Sequence, residues 1–240
     1  MPTHGNAWER NLISSSQKPS SILPVQALLI DLDDTLLDDR AATQHALRAF
    51  VAAHNQALPL ADEADAMARW RRIMAAHRPR HERGEISFVE QRRARVRDFL
   101  ALELNDSAAD AAFEPYRLAY ESAWSPVPEY SEFLRRTALR PKVIVTNGDR
   151  SQQLRKIEVT GLAEHFLGVV TPEDCGQWKP NPMMFSAALA KLNVEPSTCL
   201  MIGDDPVRDI EPARRLGMRT FCVSTGHRDR SLLHALAMAT

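Results

Sequence analysis

Apolar residues in this chain fall into two rhythms. Short continuous runs recur at Val25–Asp31, Lys142–Thr146, Leu167–Val170, Cys199–Gly203 and Arg219–Val223. Runs of that length, bounded by polar or turn residues, predict strands buried on both faces, as in a parallel sheet. Between the later runs, apolar positions return at helical spacing. Asp149 or Ser151 caps a helix that reaches Thr160 and stops at Gly161; Pro182 starts a helix to Leu192, and Pro206 opens one that stops at Gly217. Proline near a helix start and glycine past its end are the expected punctuation. Strand alternating with helix predicts an α/β fold with right-handed crossovers.

One connection breaks the rhythm. The stretch from Asp31 to Thr146 is far longer than one crossover helix requires. Within it lie helix-like segments at Arg40–Asn55, Ala61–Ala76, Ser87–Leu104 and Ser107–Trp124, rich in Ala, Arg, Glu and Leu. The pattern predicts an all-helical unit over 39–125, inserted after the first strand and returning through a proline-marked hinge at Ser125–Pro128. The core is then 25–38 together with 126–240. An insert leaving a strand's carboxyl end stands over that end, as a lid.

Composition narrows the class without naming a function. With 44% hydrophobic and 25% charged residues the chain is an ordinary globular protein. A net charge of −1 gives no general attraction to nucleic acid or an anionic membrane surface, and no apolar stretch approaches bilayer-spanning length. Cys175, Cys199 and Cys222 are odd in number and lack C-x-x-C spacing, as expected of reduced residues in a cytoplasmic protein. Residues 1–24 are polar, Ser/Pro-rich and aperiodic, and are expected to be a disordered extension with no part in catalysis.

The chemistry concentrates at the ends of the strands. In "ALLIDLDDTLL", the first run ends in Asp31, followed by Asp33. Open α/β sheets place their ligands at the carboxyl ends of strands. Two carboxylates at i and i+2 there can hold a hard cation and leave one oxygen as a nucleophile. The second run, "KVIVTNG", ends in Thr146 and Asn147, whose hydroxyl, amide and backbone N–H groups suit phosphoryl oxygens. In "QWKPNP", Lys179 is constrained between Trp178 and Pro180 and offers an ammonium to phosphate and aspartate together. The strand "CLMIG" runs into Asp204 and Asp205, with Asp209 one turn on. Asp204 completes an oxygen cage for Mg²⁺ around Asp31. Asp205 and Asp209 either stand behind that cage or serve as helix-start carboxylates.

Taken singly, these segments read as an acidic turn, an Asn-Gly turn, a surface lysine and a capped helix. In order, each at a predicted strand end, they resemble the haloacid dehalogenase superfamily, in its phosphatase branch with a helical cap between the first and second motifs. The resemblance covers Val25 to the C-terminus. It implies a Rossmann-like parallel-sheet core with Asp31 as the nucleophile that forms an aspartyl-phosphate. Asp33 is the implied general acid and base and gives a backbone carbonyl to the metal. By the same resemblance Thr146 and Lys179 hold the phosphoryl group, Asn147 helps orient their loop, and Asp204 helps bind Mg²⁺. The implied activity is a Mg²⁺-dependent phosphomonoesterase acting on a small phosphorylated metabolite.

Other branches fit less well. Relatives that cleave carbon–halogen bonds lack the carboxylate two places after the nucleophile, which here is Asp33. Phosphonate-cleaving relatives use a cap lysine, and 39–125 contains none. Sugar phosphomutases keep both aspartates and add a histidine on the first cap helix; His45 lies in that region at a different offset. A phosphomutase is the alternative, and a non-catalytic phosphate-binding module comes after it. Substrate choice is expected to sit in the cap. "HRPRHERGE", His77–Glu85, reads as a basic interhelical loop in which Pro79 argues against a helical His77/His81 metal pair. In its sharper reading, Arg80 or Arg83 contacts an anionic group on the substrate. The arginine-rich run Gln91–Phe99 reads as the solvated face of a helix.

Overall fold

The computed structural model describes residues 24–54, 63–224 and 231–238. The extension expected over 1–24 lies, Pro24 apart, outside them. The strands are β1 (Ala27–Ile30), β2 (Lys142–Val145), β3 (Gly168–Val170), β4 (Cys199–Gly203) and β5 (Arg219–Cys222). They form one sheet in the order β3-β2-β1-β4-β5, with every pair parallel. The chain builds outward from β1 to β3 on one side, then returns to lay β4 and β5 on the other. That reversal opens a crevice beside β1, where open α/β sheets take their ligands.

Side-chain alternation sorts the strand residues to two faces. Leu28, Ile30, Ile144, Leu200 and Ile202 pack with Phe133 and Leu134 of α5 (Tyr130–Arg136) and Ile157 of α6 (Arg150–Val159). Leu29, Val143, Val145, Cys199 and Met201 face the other way, against Phe185 and Ala188 of α8 (Pro182–Leu192) and Ala213 of α9 (Glu211–Arg215). The short α7 (Pro172–Cys175) and α10 (Ala235–Met238) complete the core. Asp149, rather than Ser151, caps α6, its carboxylate accepting from the Gln152 N–H.

Between β1 and β2 rise α1 (Asp39–Ala53), α2 (Glu63–Glu82), α3 (Phe88–Leu100) and α4 (Asp106–Ser122), followed by α5. Helices α1 to α4 share an aromatic core of their own around Phe50, Trp70, Phe99, Phe113 and Tyr116. Trp70 stacks on Tyr116 at 4.8 Å between ring centroids. A capping box starts α3, in which Ser87 and Glu90 satisfy each other's backbone N–H groups. The outgoing and returning segments pair at the hinge: Asp38 N–H donates to the Ser125 carbonyl (3.0 Å) and Val127 N–H to that of Leu36 (2.9 Å).

One expectation fails here. The His77–Glu85 stretch is not all loop, because α2 continues through Pro79 to Glu82. Proline in a helix interior loses one backbone hydrogen bond, and tertiary contacts override that loss here. His77 Nε2 donates to Asp98 Oδ2 at 2.6 Å, and His81 Nδ1 to the Ile86 carbonyl at 3.1 Å. Both imidazoles are therefore on the helix after all, each bonded to another part of the cap. Among the described residues no helix is long and apolar enough to cross a membrane.

Candidate active site

Asp31 follows the last residue of β1, and its N–H donates to the Ile202 carbonyl of β4 at 2.9 Å. Strand pairing thus sets the end of β1 beside Gly203 and Asp204. The Asp31 side chain is buried, with Oδ1 accepting from Lys179 Nζ at 2.5 Å and Oδ2 from the Thr35 hydroxyl at 3.3 Å. Lys179 Nζ also donates to Asp209 Oδ1 (2.6 Å) and to the Val145 carbonyl (2.8 Å). Burial alone would discharge that ammonium, but Asp209 and Asp31 more than offset it, and its pKa rises.

The loop carrying Lys179 is clamped at its backbone. Asn147 Nδ2 donates to the Lys179 carbonyl (2.8 Å), and Lys179 N–H donates to Asn147 Oδ1 (2.7 Å). Asn147 therefore spends its amide on holding the lysine loop. Thr146 is buried, and its hydroxyl accepts from Gln153 Nε2 at 2.7 Å and from Gly148 N–H at 3.2 Å.

Carboxylate oxygens of Asp31, Asp204 and Asp209 lie within 4.8 Å of one another. Asp209 is brought into this cluster by the wide π-type turn Pro206–Ile210, which leads into α9. Its Oδ2 accepts from the Asp205 N–H, while the Asp205 carboxylate caps that turn through Val207 and Arg208 N–H. Gly203 is required by close approach, since a Cβ there would sit 2.4 Å from Asp209 Oδ2. Burial pushes Asp31 well above the ordinary carboxylate range, with Lys179 opposing and Asp209 adding to the rise. Burial, then Asp209 and Asp34, lift Asp204 to about 6. Oxygen-only donors crowded to the point of mutual repulsion are a fit for a hard divalent cation, which removes the strain on binding.

Asp33 points to a different set of partners. Its Oδ1 accepts from Lys156 Nζ and its Oδ2 from Gln153 Nε2, both at 2.7 Å. Burial raises its pKa against the pull of Lys156. The buried Lys156 ammonium also donates to Asp39 Oδ1 of α1 and to the Tyr120 hydroxyl of α4, both at 2.7 Å. Neither Lys156 nor Gln153 was anticipated, because on α6 they read as ordinary polar positions. A Cβ at Gly148 would strike the Gln153 side chain, so this glycine next to Thr146 makes room for that contact.

A cavity of about 680 Å³ spans the space between the sheet end and the cap. Asp31, Asp33, Lys179, Asp204 and Asp209 form its floor, and residues of α2, α3 and α4 its roof. Arg80 and Arg83 are not among the lining residues; they pair with Glu85 at 3.6 and 2.6 Å. His45 is exposed on α1 and also lies away from the lining. The run Gln91–Phe99, expected to be a solvated face, is instead partly internal: Gln91 and Arg95 are buried and, with Arg92, line the cavity. Helical phase splits its charges between two faces, and the alternation of arginine with other residues hid that split.

Residues 25–217 match the haloacid dehalogenase-like hydrolase family, and the chain belongs to it. Its insert between β1 and β2 is a cap of the type called C1. A phosphoserine phosphatase of Thermus thermophilus is 36% identical over 42% of this chain and 41% of its own length. A glyceraldehyde 3-phosphate phosphatase of Methanopyrus kandleri is 27% identical over 84% of this chain and 85% of its own. The chain spans about half or less of the first curated relatives it matches. A Bacillus subtilis hydrolase of the family, crystallised with magnesium, superposes with a TM-score of 0.72 at 22% identity, covering 91% of this chain and all of that one.

Proposed function

We propose that this protein is a Mg²⁺-dependent phosphomonoesterase that hydrolyses a small phosphorylated metabolite through an aspartyl-phosphate. The observation that carries this reading is the cluster of buried Asp31, Lys179 and Asp209 with half-buried Asp204 at a strand end, and Asp33 two residues after Asp31. Two relatives named as phosphatases support the reaction class.

Asp31 attacks phosphorus through a carboxylate oxygen as the ester P–O bond breaks. Asp33, its pKa raised by burial, delivers a proton to the departing alkoxide. The same carboxylate, now ionised, takes a proton from water as the water oxygen attacks phosphorus and the bond to Asp31 breaks. The products are an alcohol and inorganic phosphate, with Asp31 and Asp33 restored. Lys179 holds Asp31 in its attacking orientation and offsets charge on the phosphoryl oxygens. Thr146 presents its hydroxyl to the same oxygens.

Asp31 and Asp204, with the Asp33 backbone carbonyl, are the proposed ligands of Mg²⁺, and Asp209 adjoins them. When bound, the cation would neutralise phosphoryl charge that Lys179 cannot balance alone.

The test is phosphate release from a panel of phosphomonoesters, with Mg²⁺ and with EDTA. Release that requires Mg²⁺ and is lost by more than about 10⁴-fold in Asp31→Ala is the expected result, the scale of losing a covalent nucleophile. Release that survives in Asp31→Ala would remove the covalent mechanism.

A further inference from the structure

We infer that the cap half of the cavity is an anion subsite, in which Arg95 and Arg92 of α3 bind a second, non-reacting carboxylate or phosphate group of the substrate. The inference rests on the phosphatase reading for the identity of the group at the floor.

Four arginines of α3 show why. Arg93 and Arg97, four residues apart, face α4. Arg93 binds Asp106 and Asp110 at 2.6–2.9 Å, and Arg97 binds Asp106 at 2.6 Å. Arg92 and Arg95, three apart on another face, line the cavity, and among the described residues no carboxylate hydrogen-bonds to either. One helix thus neutralises its outer guanidinium groups and leaves its inner ones unmatched.

Arg95 is the sharper case. It is only 6% exposed, yet its one hydrogen-bond acceptor among the described residues is the Met74 thioether, a weak one. Its Nε has no partner. The guanidinium lies over Trp70 at 5.3 Å and Phe113 at 5.8 Å, contacts that favour the cation but accept none of its protons. Burial lowers its pKa to about 10, so the charge persists at neutral pH. Arg92 repeats the arrangement half-buried, over Phe88 and Phe113, with its own Nε unpartnered. Buried charges in proteins are normally paired, and an exception inside a cavity marks where a ligand's charge belongs.

The cavity is polarised to match. Its floor gathers carboxylates, where a metal and a phosphoryl group would sit, while in the roof α3 supplies the two arginines and Phe88, and α2 and α4 add the aromatic walls Trp70 and Phe113. Planar, fork-like guanidinium groups bind carboxylate or phosphate oxygens two at a time. A volume near 680 Å³ admits a small metabolite charged at both ends, lying from floor to roof.

The test compares matched phosphomonoesters whose tails end in a carboxylate, a second phosphate, or a neutral hydroxyl or amide. The readout is the ratio of kcat/KM for anionic over neutral tails. The wild type is expected to favour one of the anionic tails by about 30-fold or more. Arg95→Met and Arg92→Gln are each expected to cut that preference by about tenfold, the scale of one lost charge-assisted contact. Arg92→Gln, at a half-buried position, covers the case in which Arg95→Met does not fold. A wild-type ratio near one would overturn the subsite. So would a ratio untouched by both variants, or one that collapses only in Arg80→Ala/Arg83→Ala. If no ester is hydrolysed, the phosphatase reading fails by itself. Calorimetry with 3-phosphonopropionate and propylphosphonate in Mg²⁺ then decides the subsite: tighter binding of the first, lost in Arg92→Gln, supports it, and equal binding overturns it.

Discussion

The two aspartates that begin the first motif sit two residues apart but in unlike surroundings. Asp31 is held by Lys179 and stands among carboxylates, whereas Asp33 turns to Lys156 and Gln153. Burial raises the Asp33 pKa against the pull of Lys156 and Gln153, the direction that the proposed proton donor needs. Alkoxides leave poorly without a proton, while p-nitrophenolate needs little help. Asp33→Asn is therefore expected to lower turnover of alkyl phosphates by about 10²–10⁴-fold, the usual range for general acid catalysis. The loss on p-nitrophenyl phosphate should be about tenfold or less. Equal losses on the two substrates would strip Asp33 of the acid role.

At the scale of elements, a buried ammonium joins the cap to the core. Lys156 on α6 binds Asp33 after β1, Asp39 at the start of α1 and Tyr120 near the end of α4. Burial disfavours its charge, but Asp33, Tyr120 and Asp39 together raise its pKa well above the ordinary value. Removing the cation would strand two carboxylates that keep some contact with solvent. Lys156→Met is expected to cost about 3 kcal/mol, the lower end for breaking a buried pair, measured by urea unfolding of the metal-free protein. A cost below about 1 kcal/mol would show that the contact is a surface pair in solution. The same elements show which helices were legible. Those with side-chain caps, such as α3 and α4, start within two residues of expectation. The end of α2 was misread because Pro79 signals a break locally, while His77 and Asp98 hold the turn from a distance.

The whole molecule carries an acidic floor that folding assembles, three carboxylates of which two are paired with Lys179. Asp204, lifted to about 6, is protonated in the folded state at a pH where the unfolded chain has already ionised. Its favourable contribution to the metal-free fold is complete below about pH 4 and lost as pH rises through 6. A divalent cation bound there, as proposed, would offset this charge at neutral pH and would have to displace the proton below 6. Mg²⁺ at about a hundredfold excess over its Kd is expected to raise Tm by roughly 5–10 °C at pH 7.5. That rise should shrink toward pH 5 and vanish with EDTA or in Asp204→Asn. Scanning calorimetry checks it; a rise of the same size at pH 5 would place the cation away from Asp204.

The sequence by itself determined the sheet, the position of the insert and the order of the motif residues. Each depends on local matters: the length of an apolar run, a capping side chain, a charge directly after a strand. Strand ends and chemistry were legible together because an unbroken apolar run can only stop where polar groups are served. Only the tertiary structure decided which charges share a space. Lys156 and Gln153 look like surface residues until α6 packs beneath the cap, and Asp209 joins Asp31 only through a turn after β4. Arg92 and Arg95 part company from Arg93 and Arg97 only when α4 arrives with its aspartates on one side of α3. Sequence fixes the phase of a helix but not which neighbour will cover each face, and that neighbour sets whether a charge is solvated, paired or left facing a cavity.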